Sequence, residues 1–248
     1  MLRSNVIAKT FHLLRAFTDH QNEWGVNELS RFLDMPPSSV HRMITMLRDE
    51  NILSFSETTE KYKVGDDFIR MASIISANVD IKKIARPYLM QVADTTGHSV
   101  YLAHHYPEHH KLAFIERVRS SYALQYVLDI GVLQPIHVAA SGKCILAFLE
   151  EEVIHQIVNE NISDDEKRKE IFQELETIRE NHYAITSNER KQGALSVGST
   201  IFDASKKVIG SIICVLPISD FKIKNKQMYI DHITKAAKEI SYSLGYLE

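Results

Sequence analysis

Short polar side chains and two arginines line one face of the segment 36–48. At helical spacing, the outward residues are Ser38, Ser39, His41, Arg42, Thr45 and Arg48. Small hydroxyl groups let a helix approach DNA closely, and the planar guanidinium of Arg42 can bind a guanine edge or a phosphate with two hydrogen bonds. These residue types therefore predict contact with a DNA double helix, with Arg42 as the main donor.

The same segment carries an apolar stripe that must pack on the rest of its domain. Val40, Met43, Ile44 and Leu47 recur at positions i, i+3, i+4 and i+7, which is typical of an amphipathic helix. Two prolines precede the stripe, and proline is tolerated in the first turn because its missing N–H has no helical partner there. The pattern predicts a recognition helix that ends near residue 50.

Two earlier helices are expected to cover this stripe. Ile7, Phe11, Leu14 and Phe17 predict the first helix over residues 5–18, and Asn27 is a suitable N-cap for a second helix over 28–33. The expected partners of the stripe are Phe11, Leu14, Leu29 and Phe32. Two short helices joined by a tight turn, the second with a polar outer face, form a helix-turn-helix.

A β-hairpin is expected directly after the recognition helix. Apolar alternation over 52–55 and 61–64 flanks a polar tip at 56–60. Lys61 and Lys63 share one strand face and could reach DNA phosphates, whereas Tyr62 and Val64 point to the core. A hairpin added to a helix-turn-helix makes a winged helix.

The rest of the chain predicts an α+β domain. A helix over 66–77 lacks a companion and is expected to connect two domains, with the boundary near 76–82. Further helices are predicted at 81–95, 141–149, 151–159, 164–181 and 225–244, the fourth after a capping-box signature at 163–166. Strands are predicted at 99–105, 111–118, 122–129, 184–187, 196–202 and 208–216. This order indicates a mixed sheet with helices packed on it.

Small residues at 139–143 form a second candidate site. At the start of a predicted helix they would leave backbone N–H groups open, and the helix dipole would favour an anion there. The alternative is that the small side chains only permit close packing of this helix on the sheet.

A histidine-rich stretch at 104–110 could in principle bind a metal ion. Imidazoles and Glu108 are suitable ligands for zinc or nickel. However, the Pro107–Glu108 centre is typical of a turn, and adjacent histidines on a strand point to opposite faces. We therefore predict a solvated turn, no metal site and no cofactor.

An enzyme is the least favoured alternative. The sequence has no GxSxG, HExxH or phosphate-binding loop motif. His137 and Cys144 could form a nucleophile pair, but Cys144 shares the inward face of its predicted helix with Ala147 and Phe148. Core packing is the preferred interpretation, and no catalytic residue is assigned.

The charge balance excludes a protein that is basic throughout. The formal net charge is −3, and residues 1–65 hold eight Lys/Arg and eight Asp/Glu, so that any basic surface must arise from placement. Cys144 and Cys214 lie in apolar runs and are expected to be buried free thiols in a reducing compartment. The N-terminus lacks a signal-peptide core and no run is long enough to span a membrane, which predicts a cytoplasmic protein.

Several motifs in this order resemble the IclR family of bacterial transcriptional regulators. They are Val40–His41–Arg42–Met43, Tyr62–Lys63–Val64–Gly65, residues 135–139, residues 141–147, His182–Tyr183–Ala184, Glu189 with Gly193, and Ile201–Phe202–Asp203. The resemblance covers essentially the whole chain. The sequence departs from the family where Asp34 occupies a turn position that is often glycine, and where Pro37 replaces a commonly basic residue.

The resemblance implies a two-domain α+β protein that senses a small molecule. Its parts would be a winged helix-turn-helix at 1–65, a linker helix at 66–79 and a GAF-like mixed α/β effector and oligomerisation domain at 80–248. An effector carboxylate would be held at Ala140 and Ser141. The remaining cavity wall would comprise Thr186, Ser196, Ile213 and Val215. The apolar pair Ile213 and Val215 indicates an effector with an apolar or aromatic part.

The implied partners are double-stranded operator DNA, an organic acid or aromatic metabolite, and a second copy of the chain as a homodimer or dimer of dimers. A sensor module that binds a protein instead of DNA remains an alternative, and the hairpin argues against it. The sequence leaves open the effector, the operator and target genes, repression or activation, and dimer or tetramer.

Overall fold

The chain divides into two compact units, Met1–Val79 and Asp80–Glu248. The structure is a computed structural model and describes residues 5–119 and 127–247. The α+β two-domain fold expected from the sequence is confirmed.

Four helices and a small sheet form the first unit. The helices are α1 (Val6–Asp19), α2 (Val26–Phe32), α3 (Pro37–Asp49) and α4 (Asp66–Ala77), and the strands are β1 (Glu23–Trp24), β2 (Leu53–Ser56) and β3 (Lys61–Val64). Strands β2 and β3 form the predicted antiparallel hairpin, with Phe55 opposite Tyr62. The two-residue strand β1, which the sequence did not indicate, pairs with the other edge of β3. The unit is therefore a winged helix with a three-stranded sheet.

Two helix starts in this unit are set by local backbone chemistry. Helix α3 begins at Pro37 after the extended residue Pro36, as predicted. Helix α2 begins two residues earlier than predicted, and its N-cap is Gly25 instead of Asn27, because the Glu28 carboxylate accepts a hydrogen bond from the Gly25 N–H at 3.0 Å. Asp34, between the two helices, has φ 51° and so adopts the left-handed conformation that glycine favours.

The core of the first unit differs in part from the expected one. Val40, Met43 and Ile44 are buried as predicted, and Leu47 packs at the margin of the same cluster. The side chains that cover them include Leu13, Phe17 and Leu29. The prediction that Ile7, Phe11 and Phe32 face the core was wrong, since they are 65%, 57% and 43% exposed. Phe17 of the predicted stripe is buried as expected, together with Leu13 and Ala16.

The second unit is a six-stranded sheet with helices on both faces. Its helices are α5 (Ile81–Thr96), α6 (Ala139–Leu146), α7 (Glu151–Asn161), α8 (Asp165–Asn181) and α9 (Lys226–Ser243). Its strands are β4 (Ser99–Tyr106), β5 (Lys111–Val118), β6 (Gln134–Pro135), β7 (Tyr183–Ser187), β8 (Ala194–Phe202) and β9 (Val208–Pro217). All these helices and five of these strands match predicted segments; the short β6 was missed.

The strand order of the sheet is β6-β5-β4-β9-β8-β7. The predicted mixed sheet was wrong in one respect, because every pairing between these strands is antiparallel. The predicted strand at 122–129 falls mainly outside the described residues, and 127–129 are not extended into a strand. Helix α8 is capped by Asp164, whose carboxylate accepts from the Glu166 and Lys167 N–H groups, within the predicted capping signature.

Each face of the sheet has its own core. Helices α6, α7 and α8 cover one face, where Tyr101, Phe114 and Ile213 are buried. Helices α5 and α9 cover the other face, where Val100, Ile212 and Leu216 are buried. Alternate residues of β4 and β9 therefore serve opposite cores, as expected for strands that are covered on both sides.

Candidate functional site

The outer face of α3 presents the polar residues predicted for DNA contact. Ser38, His41 and Arg42 are exposed, and Ser39 and Thr45 are half-buried. The Thr45 hydroxyl donates to the His41 carbonyl of the same helix at 2.9 Å. Within residues 5–119 and 127–247, no hydrogen bond or ion pair engages the Arg42 or His41 side chains. Arg42 is therefore available to an external acceptor.

A methionine adds an apolar contact point to this face. Met46 lies four residues after Arg42 and is 60% exposed. An exposed thioether on a helix that faces DNA suits the methyl group of thymine, which is the apolar feature of the major groove. Sequence reasoning missed Met46, although helical spacing places it beside Arg42. Arg48, one turn from Thr45, is held by Asp49 at 3.2 Å.

The two wing lysines have different surroundings. Lys63 is exposed, whereas the Lys61 ammonium lies 3.0 Å from the Glu28 carboxylate. The hydrogen bond from Gly25, followed by that from Lys61, lowers the pKa of the Glu28 carboxyl. Glu28 therefore stays charged and offsets the Lys61 charge.

We expect Lys63→Ala to weaken DNA binding more than Lys61→Ala. An exposed lysine that neutralises one phosphate releases about one counterion, so its loss should reduce the slope of log K against log salt by about one. Lys61 is already compensated by Glu28 and should change the slope less. The measurement is fluorescence anisotropy with a labelled duplex between low and moderate salt. Equal slopes for both variants and the wild type would refute a wing contact through Lys63.

A cavity lies in the second unit between the sheet and the start of α6. Five of the six predicted effector residues line it, namely Ser141, Thr186, Ser196, Ile213 and Val215. The other lining residues are Phe114, Leu128, Ala139, Glu189, Arg190, Lys191 and Ala194. The cavity itself is narrow, with about 20 Å³ of room for the centre of a water molecule, and the empty space around it is about 360 Å³, open solvent included. The structure thus brings together residues that are up to 101 positions apart in sequence, from Phe114 to Val215.

The helix start at this cavity is already occupied by protein groups. The Ala139 N–H donates to Glu189 at 2.9 Å, and the Ala140 N–H donates to the Thr186 hydroxyl at 2.9 Å. The expectation that small residues leave these N–H groups open was therefore wrong for both positions. Ala140 itself is fully buried behind the cavity wall, and Thr186 also lies 3.0 Å from Ser196.

A buried lysine holds Glu189 in place. The Lys143 side chain is 6% exposed, and its ammonium contacts Glu189 and Glu174 at 2.7 Å each. Removing one member of such a network leaves an uncompensated charge in a poorly solvated position. The network fixes the Glu189 carboxylate against the first turn of α6.

Arg190 is the cavity residue that sequence reasoning missed. Its guanidinium donates to Gln134 Oε1 at 2.9 Å, to the Val138 carbonyl at 2.7 Å and to the Ser141 hydroxyl at 3.3 Å. Burial lowers the pKa of Arg190 to about 10, so it stays protonated at neutral pH. In the sequence, Arg190 is marked only by its position directly after Glu189, a residue of one of the family motifs.

The close approach of α6 to the preceding chain requires glycine at position 142. A Cβ at Gly142 would lie 2.3 Å from the Ile136 carbonyl oxygen. Such a distance is far below van der Waals contact. The small residues at 139–143 therefore allow α6 to pack closely on the preceding chain, which was the alternative interpretation of this segment. Some of them also line the cavity.

The remaining candidate residues are Cys144 and the histidine-rich turn. Cys144 is fully buried, and desolvation raises the pKa of its thiol to about 12, so that no nucleophilic thiolate forms at neutral pH. Pro107–His109 forms a single turn between β4 and β5, as predicted. Among the described residues, no group of three or more His, Cys, Asp or Glu side chains could hold a metal ion.

No helix within the described part of the chain is long and apolar enough to cross a membrane.

Two family models match the chain in the order of its units. The model of the IclR helix-turn-helix domain matches residues 6–56, and that of the bacterial transcriptional regulator IclR C-terminal domain matches residues 74–242.

Curated relatives match over nearly the full length. The chain is 24% identical to the HTH-type transcriptional regulator KipR of Bacillus subtilis, over 98% of each chain. It is also 24% identical to the regulator KdgR of Dickeya chrysanthemi, over 97% of this chain and 80% of that protein.

Solved structures share the fold. An IclR transcriptional regulator from Silicibacter matches with a TM-score of 0.78 at 21% identity, over 98% of this chain and 97% of that one. An IclR homologue from Microbacterium hydrocarbonoxydans, crystallised with 4-hydroxybenzoate, matches with a TM-score of 0.59 at 18% identity, over 97% and 99%.

Proposed function

The chain belongs to the IclR family of bacterial transcriptional regulators, and we propose that it binds a palindromic operator as a dimer and responds to an organic acid in the cavity of its second unit. Regulation of transcription through a helix-turn-helix domain and an effector domain is the function of this family, which is not enzymatic. The palindrome, the dimer and the chemistry of the effector are the proposed parts.

The observation that carries the DNA-binding part is the outer face of α3. It combines an unengaged Arg42 with short hydroxyl side chains and lies next to a hairpin that carries the exposed Lys63. We assign DNA contact to Ser38, Ser39, His41, Arg42, Thr45 and Lys63, with Lys61 in a weaker role because of its ion pair with Glu28. Recognition helices of this kind place their side chains in the major groove.

Two observations support the proposed dimer. The first unit is close to neutral in charge, so that a single copy would bind DNA weakly, and linking two copies raises the effective concentration of the second. Helix α4 also exposes Ile69, Ile74 and Ile75 to 53%, 51% and 67%. Exposed isoleucines on a helix without a companion favour burial against a second copy of the chain. We propose that residues 66–79 link the DNA-binding part, 1–65, to the effector part, 80–248.

We expect Ile75→Glu to shift the protein from dimer towards monomer. A charge in a buried apolar contact costs several kcal/mol unless it is paired, and the monomer should still unfold as a native protein. Sedimentation velocity at micromolar concentration measures the change, with the exposed Ile223→Glu as the control. A dimer of unchanged stability in Ile75→Glu would exclude α4 from the interface.

The effector part of the proposal is based on the cavity. Its wall joins hydroxyl groups of Ser141, Thr186 and Ser196 to apolar side chains, and the Microbacterium homologue was crystallised with an aromatic acid. In the proposed mechanism, the dimer has two arrangements of its DNA-binding parts. Effector binding changes DNA affinity only if these two arrangements bind the effector with different affinities.

The operator can be found by selection from genomic DNA. The purified protein is incubated with sheared DNA of the genome that encodes it, and retained fragments are sequenced. The proposal predicts a few enriched fragments that share an inverted repeat with half-sites about one helical turn, or a multiple, apart. Recovery of fragments in proportion to their abundance would reject sequence-specific binding and favour a sensor that acts through a protein partner.

A further inference from the structure

The cavity of the second unit is lined by polar and by apolar side chains. The polar ones are Ser141, Thr186, Glu189, Arg190, Lys191 and Ser196. The apolar ones include Phe114, Leu128, Ala194, Ile213 and Val215. A ligand that fills the cavity therefore needs a polar group and an apolar body.

The bonding of Arg190 is incomplete. Its guanidinium donates to the carbonyl oxygens of Pro135 and Val138, to Gln134 and to Ser141, all of which are neutral acceptors. The Nε–H is buried and has no hydrogen-bond partner. Within the described part of the chain, no carboxylate forms an ion pair with it.

A half-buried guanidinium with a buried, unbonded Nε–H and no bonded anion is an unusual arrangement. A buried charge is normally paired, and a buried donor without an acceptor costs free energy. The neighbouring Glu189 does not supply the missing contact, because its two carboxylate oxygens are bound by Lys143 and by the Ala139 N–H. Arg190 therefore retains the capacity to bind an external carboxylate, for which its planar fork is suited.

The first turn of α6 is a poorer anchor for an anion. Its Ala139 and Ala140 N–H groups already donate to Glu189 and Thr186. A ligand carboxylate would have to displace a carboxylate that Lys143 also holds. Arg190 requires no such displacement.

We propose that Arg190 binds the carboxylate of the effector, and that the effector is a carboxylic acid with an aromatic or branched apolar body. This inference rests on the proposed function, in which the cavity is the effector site. The ring of Phe114 lies 5.9 Å from the Arg190 guanidinium carbon, so a body attached to the bound carboxylate reaches apolar side chains at once.

The test uses benzoate and its neutral analogue benzamide, which have nearly the same shape. Affinities are measured by calorimetric titration of the full-length protein. We expect the wild type to bind benzoate at least about tenfold more tightly than benzamide, because hydrogen bonds to a charged group are the stronger ones.

Two variants separate the role of Arg190 from general damage. Arg190→Gln should remove the preference for benzoate over benzamide, and Arg190→Lys should restore part of it through its charge. The control is Arg86→Gln on the same unit, a side chain that is 56% exposed and pairs with Glu116, and it should bind both probes like the wild type. If Arg190→Gln fails to fold, the benzoate and benzamide titrations of the wild type still decide the question.

The outcomes distinguish this inference from the proposed function. Equal affinity of the wild type for benzoate and benzamide, or an unchanged preference in Arg190→Gln, would overturn the assignment of Arg190. Selective DNA binding by the same preparation would then show that the regulator function stands without it. Carboxylate binding that depends on Arg190, in a protein without selective DNA binding, would support this inference and contradict the proposed operator.

Discussion

Replacing Arg42 by alanine should reduce operator affinity by about 100-fold or more, since one bidentate contact to a base contributes roughly 1–3 kcal/mol and a dimer uses the residue twice. Arg42 is exposed on α3 and has no partner within the described residues. Its removal therefore breaks no contact in the protein, and the free energy of unfolding should stay within about 1 kcal/mol of the wild type. The measurements are a mobility-shift titration and a denaturant melt of the same preparation.

Two further variants define what Arg42 contributes. Arg42→Lys keeps the charge but loses the planar fork, so it should lose more sequence preference than total affinity. Arg15→Ala, an exposed arginine of α1 outside the proposed interface, should bind like the wild type. Unchanged operator affinity in Arg42→Ala would remove α3 from its assigned role.

Gly142→Ala should destabilise the second unit by about 3 kcal/mol or more, because overpacking against backbone atoms cannot be relieved by a rotamer change. The new methyl carbon would lie 2.3 Å from the Ile136 carbonyl oxygen. In an unconstrained helix the same change would stabilise by roughly 1 kcal/mol, since glycine is a poor helix former. A loss of stability would therefore show that the added methyl group clashes with the Ile136 carbonyl, and a gain would show that it does not. The measurement is thermal and urea unfolding of the full-length protein.

Gly198→Ala is the matched control for this prediction. It lies in β8 of the same unit, and its added Cβ would meet neighbouring atoms only at 3.4 Å or more. We expect an effect of less than about 1 kcal/mol. If Gly142→Ala were as stable as Gly198→Ala, the tight approach of α6 to residue 136 would be wrong, and with it the shape of the cavity mouth.

The outer face of α3 could be predicted from sequence because it depends on local periodicity. A helix that begins at the second of two prolines and alternates Val40, Met43 and Ile44 with polar residues has one possible outer face. In α1 the same reasoning was right for Phe17 but failed for Phe11, because apolar residues occur on more than one face of this helix. Leu13 and Ala16 lie with Phe17 in the core, and the periodicity of α1 alone does not encode that choice.

The cavity could be predicted only in part. Ser141, Thr186, Ser196, Ile213 and Val215 were assigned through the family resemblance, and they line one cavity. Arg190 was missed because its surroundings come from chain segments at 134–141, about 50 residues away. For the same reason, the occupation of the Ala139 N–H by Glu189 could not be predicted. Side-chain contacts across such separations are set by the tertiary fold.

The short strands show a similar limit. Strands β1 and β6 are two residues long and have no periodicity of their own. They exist because β3 and β5 present open edges to them.

The most direct test of DNA reading by this chain compares two duplexes of equal length and composition. One carries the inverted repeat recovered from the genome, and the other carries the same bases in shuffled order. We predict that the wild type at physiological salt binds the repeat at least about 1,000-fold more tightly, the lower range for specific regulators, and that both affinities fall as salt rises. Equal affinity for the two duplexes would contradict the central claim that this chain reads operator DNA through α3.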